Sequence, residues 1–112
     1  MLPKENRLKK KKEFDLVFQK GKSADNKYLR IKTKKIKGKK IGFVAPVKIF
    51  KKATKRNEIK RKLREAFRPI INKLSDDIGI IIIGKKPIEE KSVQETTEII
   101  EEVLTRIKLL KK

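Results

Sequence analysis

A chain of 112 residues carries 34 Lys/Arg against 14 Asp/Glu, a formal net charge of +20, with 37% hydrophobic residues and neither cysteine nor histidine. That length suits one domain, residues 1–112, with a modest core, and the charge points to a polyanionic partner, nucleic acid ahead of an anionic membrane surface. The missing residue types exclude disulfides, thiolate chemistry, the common zinc sites and the usual general base of a protein nuclease. Residues 1–73 hold 27 Lys/Arg against 6 Asp/Glu, and residues 74–112 hold 7 against 8. Binding surfaces are therefore expected in the first two-thirds, with the last third as scaffold. The N-terminus has no apolar core of signal-peptide length, and the longest apolar stretch, Ile78–Ile83 broken only by Gly79, is strand-sized. A soluble, cytoplasmic protein without membrane contact is expected.

Residues 1–12 form a basic arm, with Arg7 and Lys9 to Lys12 in a run of the kind that folds against nucleic acid. A short helix over Lys10–Lys20 follows, with Phe14, Val17 and Phe18 on one face and Gly21 placed as its C′ residue. Aromatics at i, i+4 are ordinary core packing on general grounds. Tyr28–Ile36 alternates imperfectly and predicts a strand with one exposed basic face, and Ser23–Asp25 is a candidate for a short strand ahead of it. KGKK at Lys37–Lys40 reads as a turn into a partner strand, Ile41–Val47, with Pro46 near its end.

The stretch Lys48–Lys73 is a basic loop running into a helix that begins near Ala53 or Thr54. At 100° per residue Ile59, Leu63, Ala66, Phe67 and Ile70 make an apolar stripe. Asn57, Lys60, Arg61, Arg64 and Arg68 share an adjoining arc, while Glu58 and Glu65 lie on the remaining flank. Glu58 is expected to pair with Lys62 or Arg61, and Pro69 to bend the helix. The apolar run Ile78–Ile83 reads as a central strand covered on both faces with parallel neighbours. Together with Ile41–Val47 and the intervening helix it forms a βαβ unit. Ser92 and Glu95 make a capping box for a last helix, Val93 to about Leu110, with Val93, Thr97, Ile100, Val103, Leu104 and Ile107 as its buried stripe. No glycine-rich phosphate loop or metal-ligand cluster appears. The paired acids Asp76/Asp77 and Glu89/Glu90 read as turn and cap residues.

At Ala53–Arg68 the sequence ATKRNEIKRKLREAFR resembles the signature helix of the bacterial ribonuclease P protein subunit. The family pattern there is Arg-Asn-Arg, two or three residues, then Lys-Arg-x-x-Arg-Glu-x-Phe-Arg. Arg7-Leu8 with the basic run, Phe14, Val17-Phe18, Gly21, Ile41-Gly42 and the Gly84-Lys85-Lys86-Pro87 turn also stand where the family has them, so the likeness spans nearly the whole chain. The resemblance implies an α+β fold, an αβββαβα sandwich similar to the second domain of ribosomal protein S5, with a left-handed βαβ crossover. Topology rules alone predict a right-handed one.

The resemblance further implies a protein subunit that binds a large catalytic RNA and the 5′ leader of precursor tRNA, while the RNA holds Mg2+ and performs the cleavage. The protein then has no catalytic residue, binds no cofactor or metal of its own, and works as a monomer, one per RNA. By position, Lys52, Arg56, Asn57, Lys60, Arg61, Arg64 and Arg68 face the catalytic RNA. Phe14, Phe18, Ile31, Val44 and Lys48 line the leader cleft, and Arg7, Lys9, Lys10 and Lys11 add RNA contacts. Three positions depart from the pattern: Glu58 replaces the third residue of Arg-Asn-Arg, Ile31 takes the place of a cleft aromatic, and Phe50 stands in a loop that favours glycine. The competing reading is a structural RNA-binding protein of ribosomal type with no part in cleavage. Two aromatics beside a cationic strand face suit a single-stranded ligand, whose bases stack while its phosphates are neutralised.

Overall fold

The computed structural model describes Leu8, residues 11–74 and residues 77–107. The elements run α1 (Lys11–Lys20), β1 (Lys22–Asp25), β2 (Leu29–Lys35), β3 (Lys40–Val44), α2 (Ala53–Phe67), β4 (Ile78–Gly84) and α3 (Val93–Arg106), the expected αβββαβα order. Short 3₁₀ helices follow α2 (Arg68–Lys73) and β4 (Lys86–Glu90).

The four strands form one sheet in the order β1-β2-β4-β3, and β4 decides that order. Side chains alternate along a strand, so Ile78, Ile80 and Ile82 enter the main core beneath α2 and α3, while Ile81 and Ile83 face α1. A strand apolar on both faces is most stable with a neighbour on each edge. It therefore sits between β3, which it pairs in parallel, and β2, which it pairs antiparallel. This corrects two expectations. β2 and β3 are not hairpin partners, because β4 lies between them, and the neighbours of β4 are mixed rather than parallel. The link at residues 36–39 only has to cross one strand, about 10 Å between β2 and β3. Its Ile36 N–H donates to the Asp77 carbonyl (3.3 Å) and its Gly38 N–H to the Asp77 carboxylate (2.8 Å), which ties it to the start of β4.

The stripe on α2 is buried as its spacing requires, through Ile59, Leu63, Ala66, Phe67 and, in the following turn, Ile70. Where a bend was expected at Pro69, the α-helix stops at Phe67 and the chain continues as a 3₁₀ helix with Pro69 in its first turn. The capping box of α3 forms in both directions, at 3.0 and 3.1 Å. The buried stripe of α3 is Thr96, Ile100, Val103 and Leu104, whereas Val93 is 44% exposed. Thr97, expected inside, instead reaches sideways to donate to the Ala66 carbonyl at 2.8 Å.

Helix α1 packs on the other face of the sheet. Val17 is its one fully buried residue, in a small cluster with Leu8, Ile36 and Ile81. Gly21 does not take the left-handed C′ conformation, since among the described residues Gly38 is the glycine with positive φ. Its need for glycine comes from close approach: a Cβ there would fall on the Val17 carbonyl oxygen and within 2.7 Å of the Thr33 carbonyl oxygen. Both are backbone atoms that cannot swing aside. Gly21→Ala is therefore expected to lift α1 from β2 and cost about 1–3 kcal/mol, read as a lower urea midpoint at unchanged slope.

Candidate nucleic-acid interface

Two surfaces gather the predicted residues. The first is the outer side of α2. Lys52 is exposed where the chain enters the helix, Asn57, Arg61 and Arg68 are exposed, and Lys60 and Arg64 are half-buried. Among the described residues Lys60, Arg61 and Arg64 have no hydrogen-bond or ion-pair partner, so their charge is available to a ligand. Arg68 lies 3.6 Å from Glu65. Arg56 is different: its guanidinium donates to the carbonyls of Phe50 (3.1 Å) and Lys51 (2.9 Å) and so clamps the basic loop to the first turn of α2. Phe50 explains the departure from glycine in that loop, because its ring is buried in the main core and anchors the loop from beneath.

Glu58 is 67% exposed at its side chain and pairs with Lys55 at 3.4 Å, not with Lys62 or Arg61 as expected. It turns back along the helix and leaves Arg61 unneutralised. Lys62 is drawn to the opposite flank, where its ammonium caps the carbonyls of Ile88 (2.9 Å) and Glu89 (3.1 Å). Burial, aided by repulsion from Lys55, holds it below the usual lysine range.

The second surface is the groove between α1 and the sheet. Phe14 and Phe18 stack with ring centroids 6.0 Å apart and planes 14° apart. Phe14 is half-buried near Gly42 and Val44, whereas Phe18 is 39% exposed. The register aligns Arg30, Ile83 and Val44 across the α1 side of the sheet, then Lys32, Ile81 and Gly42, then Lys34, Gly79 and Lys40. Lys32 Nζ stands 4.5 Å from the Phe18 centroid and donates to the Phe18 carbonyl at 2.9 Å. Lys40 is pinned to Glu13 of α1 by a half-buried ion pair at 2.8 Å.

Ile31 is not in this groove. It is fully buried on the opposite face with Leu29, in the core under α2 and α3. The strand residue that faces α1 is its neighbour Lys32. Lys48 is exposed in the turn after β3, and Lys11 is exposed at the start of α1. Arg7, Lys9 and Lys10 lie outside the described residues.

Sequence reasoning passed over a pocket of about 420 Å3 that continues the groove past Arg30 and Ile83, lined also by Lys27, Ile49, Lys85 and Pro87. Its cations come from β2, the turn before it and the end of β4. The alternation within Leu29–Lys35 was the signal for Arg30 and Lys32. Lys85 had no local signal, because the contact that places it spans 60 residues. Among the described residues no group of three or more His, Cys, Asp or Glu could hold a metal ion, and no helix is long and apolar enough to cross a membrane.

The sequence profile of the Ribonuclease P family matches residues 2–108. The chain belongs to that family. A ribonuclease P protein component from Pseudanabaena sp. (strain PCC 6903) is 31% identical over 113 residues, covering 98% of this chain and 97% of the relative. Among solved structures, the Staphylococcus aureus RNase P protein superposes with a TM-score of 0.79 at 27% identity, covering 96% of this chain and 99% of that one. The Thermotoga maritima RNase P protein gives 0.76 at 31% identity, with 89% and 96% covered. Membership makes this chain a protein component of an endoribonuclease of tRNA 5′ maturation, partnered by an RNA subunit. The family pattern and the geometry agree on α2: the cations of the signature helix stand on the side away from the core.

Proposed function

We propose that the chain, as the protein subunit of ribonuclease P, docks on the catalytic RNA through α2 and the basic loop, and grips the 5′ leader of precursor tRNA in the groove between α1 and the sheet. Lys52, Asn57, Lys60, Arg61, Arg64 and Arg68 meet RNA phosphates and sugars, while Arg56 acts through the loop it holds. In the groove, Phe18 offers a base an exposed ring, with Phe14 stacked behind it and Val44 on the sheet side. Lys32, Arg30 and Lys48 neutralise the strand. The observation that carries this reading is an exposed aromatic flanked by a row of strand cations, the arrangement that stacks bases and tracks a single-stranded backbone. A protein that only packed duplex RNA would have no use for it.

In this reading the hydrolysis and its magnesium belong to the RNA, as the family resemblance implies. The protein works as a monomer, one per RNA, and supplies position: it holds the leader on one surface while the other is fixed to the ribozyme. The test is leader release from precursor tRNA by a bacterial ribonuclease P RNA at near-physiological magnesium. Adding the protein is expected to accelerate release; a rate equal to that of the RNA alone rejects the reading in favour of a purely structural RNA-binding protein.

A further inference from the structure

We propose that Asp25 is a built-in counter-anion of the leader groove, holding the place between Arg30 and Lys85 that a phosphate of the bound strand would take, and so setting how tightly single-stranded RNA is gripped. This rests on the reading of the groove as the leader site. One oxygen of Asp25 serves both cations, at 2.8 Å from Lys85 Nζ and 3.5 Å from Arg30 Nη2. Both partners line the 420 Å3 pocket, whose lining contains no acidic residue.

The placement is firm. The β1/β2 register sets Asp25 directly opposite Arg30. The Asn26 carboxamide oxygen accepts from Tyr28 N–H (2.8 Å) and Leu29 N–H (3.0 Å), which fixes the turn that follows Asp25. Lys85 is tied in by its own N–H to the Tyr28 carbonyl (2.9 Å) and by its ammonium to the Asn26 carbonyl (2.7 Å). The pairing with Lys85, then with Arg30, holds the Asp25 carboxyl below the usual aspartate range, so it stays charged at neutral pH.

The pair with Arg30 is open to water, with side-chain exposures of 48% and 45%, and exposed pairs of this kind contribute little to folding. Their consequence is electrostatic. The carboxylate cancels one of the three charges that Lys27, Arg30 and Lys85 bring to the pocket, and it occupies donors that a phosphodiester would otherwise use. An incoming strand must exchange with it, which weakens the grip and lets the leader go after cleavage.

The test is a fluorescence-anisotropy titration of a labelled single-stranded RNA hexamer with the full chain, across a salt series. Asp25→Asn keeps the size and an acceptor oxygen. It is expected to tighten binding about two- to fivefold at low salt and to steepen the slope of log K against log salt by about 0.7, one phosphate's worth for a single strand. Glu102→Gln, an exposed acid on α3 paired within its own helix to Arg106, controls for bulk charge and should change neither. Equal or weaker binding by Asp25→Asn, with or without loss of the native circular dichroism, overturns the proposal, as does equal tightening by Glu102→Gln. Because the titration needs no catalytic RNA, its result stands apart from that of the leader-release assay.

Discussion

Replacing Arg61 and Arg64 together with alanine is expected to weaken binding to the catalytic RNA at least a hundredfold at low salt, taking roughly 1.5–3 kcal/mol for each charge-assisted contact. The two side chains are three residues apart, neighbours on one helix face. Neither enters the core, and neither has a hydrogen-bond or ion-pair partner among the described residues. The apolar stripe is untouched and alanine favours the helix, so the unfolding midpoint should hold. Salt supplies the sharper diagnostic. Removing one phosphate-neutralising cation lowers the slope of log K against log salt by about 0.7–0.9, so the gap between variant and parent should narrow as salt rises. A gap that stayed constant between low and high salt would mean that these arginines act other than by neutralising phosphates.

Such a prediction was open from the sequence because a helix displays its faces in its spacing. All five apolar residues assigned to the core side of α2 are buried, and the arc assigned to a polyanion is the outer side. What the spacing could not show is which cations the fold uses for itself. Arg56 is spent on two loop carbonyls and Lys62 on two more, and both tasks depend on where distant segments arrive. Strands are less forgiving than helices. With a side-chain period of two, adjacent residues face opposite sides of the sheet, so Ile31, placed in the cleft by the family pattern, is buried in the core while its neighbour Lys32 faces α1. The clue lay in Leu29, Ile31 and Thr33, whose alternation puts all three on the buried side. Sheet order was hidden for a further reason: nothing local to β2 or β3 announces that β4, more than 30 residues later, will come between them. Phe50 read as a departure in a loop, because a single apolar residue carries no period, and only the packing shows it as the loop's anchor.

Phe18→Ala is expected to weaken binding of precursor tRNA to the holoenzyme about tenfold while leaving mature tRNA unaffected. The magnitude follows from about 1–3 kcal/mol for stacking one base on an aromatic ring, with about 1.4 kcal/mol for each factor of ten. Phe18 is the right residue to truncate because its ring is partly in solvent. Val17 carries the core contact of α1, so the fold should lose little, whereas Phe14 is wedged among Gly42 and Val44 and would report packing and binding together. The cation beside the ring also survives the change. Lys32 is held by the Phe18 backbone carbonyl at 2.9 Å as well as over the ring, so the charge of the groove stays in place when the side chain goes. Affinity should therefore fall by a similar factor at every salt concentration, with the slope unaltered, the reverse of the pattern for Arg61 and Arg64. An equal loss for precursor and mature tRNA would remove the leader from this groove, and a slope that fell with the affinity would mean that Phe18 serves to position Lys32 and not to stack a base.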